Sequence, residues 1–347
     1  VSGVGTGDTT AVRTHPHRAR AAVVTGALAV LLGVLVLLGL ALGDYPLGSL
    51  DVLRVLVGAG GDDFASTIVL QWRLPRVLAA VAIGAALAVA GALFQSITRN
   101  PLGSPDIVGF TTGAYTGVLV AMTLVPGFVG GFAGTATAAL VGGLLTAAAV
   151  LLLSYQRGVQ GFRLIVVGIA ASAMLQAVNT YLLMRAQTEV AMTAAAWGAG
   201  SLDLVGWAQA APATALFAVL GVGVVLASPL LRQLELGDDF AAAHGVPVEP
   251  ARLGILGVGV ALTAVATATA GPIAFVALSA PQVAKRLVRG AGLPLVASAL
   301  TGAVLLTGAD LVAQHALPVA LPVGIVTIVL GGVYLLALLV GGARARR

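Results

Sequence analysis

The chain holds few side chains able to do chemistry, and their spacing excludes most of it. Asp238, Asp239 and His244 fall within GDDFAAAHGVPV, residues 237–248. Adjacent carboxylates project apart, however, and a single imidazole completes no metal-ligand set. His15 and His17 flank a proline in a polar stretch and read as solvated. There is no cysteine, which removes thiolate catalysis, disulfides and Cys-based metal sites. No nucleophile–base pair or zinc motif occurs. The pattern G-x-x-x-x-G-K-[ST] is also missing, so ATP hydrolysis by that route is excluded. Neither catalytic nor metal-ligating residues are expected. What remains is recognition and passage. Arg73 and Arg76 bracket a proline ahead of a long uncharged run, Gln95 lies deep inside that run, and Asp310 is the only acid within a late span.

The elements that must position these residues are membrane helices. Hydrophobic residues make up 59% of the chain and charged ones 9%, with a mean hydropathy of +1.05. A soluble domain carries about 25% charged residues, so most of this chain belongs in lipid. The net charge of +5 is spread singly between apolar blocks and offers no basic face for a nucleic acid to track. The central stretch runs from Trp72 to Gly109. Its residues 77–98 are uncharged, long enough to cross a bilayer's hydrocarbon core, and end in a basic residue and an Asn-Pro turn. Prolines at both mouths should fix the chain direction there. Gly84, Ala88 and Gly91 would admit close neighbours, and Gln95 must find a partner or line a cavity.

Further spans are expected at 21–42, 107–125, 131–153, 164–184, 208–230, 294–316 and 322–340. Residues 253–284 are 32 uncharged positions, too many for one straight helix and too few for two. Gly271-Pro272 should break them into a full span, a short piece and a helix through Lys285, making ten spans. Residues 1–20 read as a disordered cytoplasmic tail, without a cleavable signal; 21–340 as the transmembrane domain; 341–347 as a basic tail. With the N-terminus inside, internal segments hold 14 of the 18 basic residues, and only Arg54, Arg73, Arg76 and Arg185 fall outside. This asymmetry places both termini in the cytoplasm. AGALF at 90–94 and AGPIAF at 270–275 echo one another with inverted orientation, as repeats in transporters do.

The residues LPR, the small-residue helix with its Gln, and R-N-P-L-x-x-P-x-x-x-G together resemble the permease family of iron-siderophore, haem and cobalamin importers. These are the membrane subunits of type II binding-protein-dependent ABC transporters, and the resemblance extends through most of the chain. It implies an all-α polytopic fold that pairs with a second permease, identical or paralogous. It also implies two cytoplasmic ATPases that bind the ATP, and an extracytoplasmic substrate-binding protein. No cofactor would be bound directly.

Arg73 and Arg76 read from position alone as snorkelling anchors. The resemblance instead implies that they receive glutamates of the binding protein. A third docking arginine of the family is replaced here by Gln314, followed by His315. The segment 231–252 would be the cytoplasmic coupling element, with Gly237, Asp238, Asp239, Ala242 and Gly245 against the ATPase. Gln95 and Asn100 would lie on the translocation path, with Leu102, Gly161 and Phe162 at the inner gate. Near the eighth span, Gln282 and Ala277 stand where the family has His and Gly. Asp310 lies 16 residues after Pro294, roughly 24 Å along a helix, which puts it toward the external end in a packing or vestibule role. The rival is an ion-coupled secondary transporter without an ATPase, which would need several such intramembrane acids.

Overall fold

The computed structural model describes residues 15–59, 63–106, 108–125, 131–156, 158–290, 292–316 and 318–344. Among them the chain is helical, apart from connecting turns and one isolated bridge, Tyr155 with Val159. Helix α1 (His15–Ala41) is followed by two short helices, α2 (Ser49–Leu56) and α3 (Asp63–Thr67). A π-helical turn, Ile68–Arg73, then leads without a break into α4 (Leu74–Thr98). Next come α5 (Phe110–Leu124), α6 (Phe132–Ser154), α7 (Gly161–Arg185), α8 (Thr188–Gly198) and α9 (Trp207–Leu236). The chain ends with α10 (Asp238–Ala243), α11 (Val248–Ala270), α12 (Val276–Val288), α13 (Leu295–His315) and α14 (Val323–Arg344). Among the described residues seven helices are long and apolar enough to cross a membrane, and α5 and residues 323–337 of α14 are shorter apolar ones; α12, 13 residues long with Lys285 and Arg286 in its last turn, lies where the tenth span was expected.

α4 is the hub because its side chains are small. It packs against α9, α11, α12 and α13, and most of it is buried. Gly84 and Gly302 of α13 face each other so closely that a Cβ on either would overlap the other's carbonyl oxygen. Gly91 lies equally close to the carbonyl of Ala277. Pro281, which has no N–H, leaves that carbonyl without its usual helical donor, so the approach displaces no hydrogen bond.

Four elements differ from expectation. Pro75 does not start the helix: the wider π turn before it accommodates the missing donor, so the helix begins at Asp63. The expected loop between the fifth and sixth spans contains α8, whose Trp197 stacks on Tyr115 with ring centroids 6.3 Å apart. α9 continues through Pro229 and Arg232 to Leu236, which shortens the non-helical part of the segment 231–252 expected to couple. α1 likewise starts at His15, inside the stretch read as a tail. The remainder of that tail, the Pro126-Gly127 turn, Arg157 and Arg346-Arg347 lie outside the described residues. The break after α11 falls where expected, with Gly271 at φ 73° and Phe275 at φ 69°.

Candidate functional site

On the external side, Arg76 is held between two carboxylates. Its Nε and Nη2 donate to Asp310 at 3.0 and 2.8 Å, and Nη1 meets Asp203 at 2.7 Å. The clasp ties α4 to α13 and to the α8–α9 loop. Asp310 is nearly sealed while Asp203 is half exposed, and Gln314 donates to Asp310 at 3.2 Å. Arg73 donates to the carbonyls of Leu40 at 2.8 Å, Ala41 at 3.2 Å and Tyr45 at 2.7 Å. It thereby caps the end of α1, whose last carbonyls have no helical donor. Both arginines and Gln314 line one cleft of about 500 Å³, with Trp72, Asp203 and His315 around them. The structure thus brings the expected external residues together, with both guanidinium groups already partnered inside the chain.

In the last turn of α4, Gln95 is buried and satisfied. Its Nε2 donates to the Leu278 carbonyl at 3.0 Å, and its Oε1 accepts from Gln282 Nε2 at 2.7 Å. Gln282 therefore completes an amide pair across α4 and α12, a bond that needs a donor at this position.

On the cytoplasmic side, the segment expected to couple to an ATPase is joined to the loops expected to form the gate. Asp238 at the start of α10 accepts from Arg99 at 2.8 Å and from Arg252 at 2.9 Å. Arg252, itself buried, also holds Glu249 at 2.6 Å, and Glu249 accepts from the backbone N–H of Val159 at 3.2 Å. The chain of bonds thus runs from the end of α4, through α10 and α11, to the α6–α7 linker. Asn100 Oδ1 accepts from the N–H of Leu102 at 2.9 Å, which tightens the turn after α4. Gly161 fits flush against Thr98, where a Cβ would meet backbone. Leu102 and Phe162 are exposed at this end, Phe162 by 80%.

Within α10, Ala241 is buried while Ala242 is exposed, as is Asp239. Gly245 follows at φ 80°, with nothing within 4 Å of a Cβ built on it. Gly237 takes φ 126° between α9 and α10.

Sequence reasoning missed Asp203, Glu249 and Arg252. The last two stand three apart at the foot of an apolar run, the spacing of a helical ion pair, and that signal was available. Asp203 carried none. Asp106, in the turn between α4 and α5, was also missed. Thr111 donates to one carboxylate oxygen at 3.3 Å while the other is sealed and unpartnered. Burial pushes this carboxyl up to about 7, against a smaller downward pull from the Thr111 hydroxyl.

Residues 31–341 match the model of the FecCD transport family. The chain is 48% identical over 309 residues to the ferric enterobactin transport system permease protein FepG of Escherichia coli strain K12, covering 89% of this chain and 92% of that one. It is 36% identical over 316 residues to the achromobactin transport system permease protein CbrC of Dickeya dadantii strain 3937, covering 90% of each. With the Fe(3+)-citrate import system permease protein YfmE of Bacillus subtilis strain 168 the identity is 34% over 322 residues, covering 91% and 94%. Among solved structures, an inward-facing metal-chelate type ABC transporter superposes with a TM-score of 0.80 at 27% identity, covering 92% of this chain and 99% of that one.

Proposed function

Because the chain belongs to the FecCD transport family, we propose that this multi-pass permease passes a ferric siderophore or a similar bulky iron chelate into the cytoplasm. A second permease, two cytoplasmic ATPases and an external binding protein complete the importer. The observation that carries the reading is the run of bonds Arg99–Asp238–Arg252–Glu249–Val159. A force applied to α10 from below has a direct, charge-assisted route to both cytoplasmic loops, so ATPase closure can move the turn bearing Leu102 and the linker before Phe162 together. The ion-coupled alternative loses its main support, since Asp310 is neutralised by Arg76 through both oxygens.

At the external cleft, the binding protein's carboxylates compete with Asp203, the more exposed partner of Arg76. Docking would therefore exchange one ion pair for another without uncovering a bare charge. Gln314 cannot supply the charge of a third arginine, so affinity rests on two cationic positions.

Coupling is tested at α10. Ala242→Trp adds bulk on the exposed face, and Gly245→Val places a β-branched residue at φ 80°, a strained conformation. Both variants are expected to abolish substrate-stimulated ATP hydrolysis in proteoliposomes while binding-protein docking on the opposite face stays normal. Wild-type stimulation in both would remove the ATPase from beneath this segment.

A further inference from the structure

A groove of about 1450 Å³ lies between α9 on one side and α1 with the start of α13 on the other, backed by α4 and α12. Its walls are mostly apolar, among them Ala82, Val89, Phe217 and Val225. From Ala82 to Arg99 it follows roughly 26 Å of helix at about 1.5 Å per residue. That exceeds the depth of one leaflet, half of a hydrocarbon core about 30 Å thick.

The cytoplasmic mouth has the opposite character. Arg232 and Lys285 line it, both exposed and neither with a carboxylate partner among the described residues. The first turn of the 21-residue helix α13 lines the same mouth, and no side chain caps it. The N–H groups of Val296 and Ala297 fall in that turn, where helical donors have no internal acceptor and attract anions. Two other charges lie nearby and are already engaged. Glu235 accepts from Ser96 at 3.2 Å, and Arg99 is held by Asp238.

The geometry points to a binding site for an anionic phospholipid of the cytoplasmic leaflet. Its phosphate would sit between Arg232, Lys285 and the α13 N-terminus, and its acyl chains would fill the groove beside α4. The chains would lie along the helix that carries Gln95 and ends in the gate turn, so occupancy would bear on the hub itself. A zwitterionic lipid would satisfy the apolar walls but add a cation beside two others. Free phosphate would satisfy only the mouth.

The test uses the complete transporter, titrated with palmitoyl-oleoyl phosphatidylglycerol or with phosphatidylcholine, with bound lipid counted by native mass spectrometry. Retained phosphatidylglycerol, with phosphatidylcholine washed away and no competition from millimolar inorganic phosphate, is the expected result. Arg232→Gln with Lys285→Gln should weaken binding about thirty-fold, from the attraction that two basic residues exert on an anionic leaflet. Gly221→Phe, whose new side chain starts in open space in the groove wall, should exclude the acyl chains and leave the charges untouched. Equal retention of both lipids, an unchanged double variant or an unchanged Gly221→Phe variant would each overturn the site. Full displacement by inorganic phosphate would reduce it to an anion site without acyl-chain recognition, and would overturn it as a lipid site.

Discussion

Replacing Asp238 by Asn tests the transmission route most directly. One oxygen, Oδ1, takes both guanidinium contacts, at 2.8 Å from Arg99 and 2.9 Å from Arg252. The Arg99 side chain is 56% exposed, so that pair is screened and contributes at most about 1 kcal/mol. Arg252 is only 10% exposed, and a hydrogen bond to a charged group in such a place contributes about 1.5–3 kcal/mol. Asparagine keeps an acceptor of the same shape but no charge, and a neutral bond has about half the strength of a charge-assisted one. The expected loss is therefore about 1–1.5 kcal/mol, close to tenfold in the equilibrium between gate conformations if the bond is made in only one of them. Ferric-chelate uptake and ATP hydrolysis, followed on the same proteoliposomes, should show uptake per ATP falling about tenfold with assembly intact. Combining the change with Arg252→Gln should give less than the sum of the two single losses, because the two residues share one bond. An unchanged uptake-to-hydrolysis ratio, or strict additivity, would refute the route.

Two further predictions concern buried acids. Asp310→Asn keeps an acceptor for Arg76 and should retain ATP-driven uptake. Asp310→Ala leaves a largely buried guanidinium with only Asp203 and should lower stability by about 3 kcal/mol, read as a drop in thermal midpoint in detergent. Loss of uptake in a well-folded Asn variant would instead restore an ionic role for Asp310. Asp106 is the pH-sensitive position. Its folded pKa, about 7, lies above the ordinary 3.8, so its contribution to stability is complete below pH 4 and is lost as pH rises through 7. The thermal midpoint should fall between about pH 4 and 7 and level off above that, and Asp106→Asn should flatten that fall; an identical slope in the variant would show that another group is responsible.

The membrane architecture was legible in the sequence because lipid forces a long uncharged run wherever the chain crosses. The basic collars then oriented the runs. The break at Gly271-Pro272 could be read because the uncharged run fitted neither one helix nor two. α8 escaped the same logic: Thr188–Gly198 is 11 residues with Glu189 in its first turn, too short and too polar to register as a crossing. Its helicity comes from packing, with Ala194 buried and Trp197 on Tyr115. Pro75 misled for a related reason. A proline forbids a regular helical bond, but not a turn wide enough to do without it, and no local pattern announces that turn.

For the site, sequence revealed which polar residues had to be explained, but not what satisfies them. Arg76 and Asp310 were both conspicuous as charges beside apolar runs, yet 234 positions separate them. Nothing in either neighbourhood says that α4 and α13 come into contact. That contact follows from Gly84 and Gly302, whose missing side chains let the two backbones touch and so bring guanidinium and carboxylate within bonding distance nearer the external end. The same dependence holds below the membrane. Asp238 looked like a helix-start residue fit for an ATPase surface, but its carboxylate bonds Arg99 and Arg252, while Asp239 is left exposed. An adjacent pair of identical residues thus divides its work by helix geometry: successive side chains point about 100° apart, so one binds Arg99 and Arg252 and the other is left exposed.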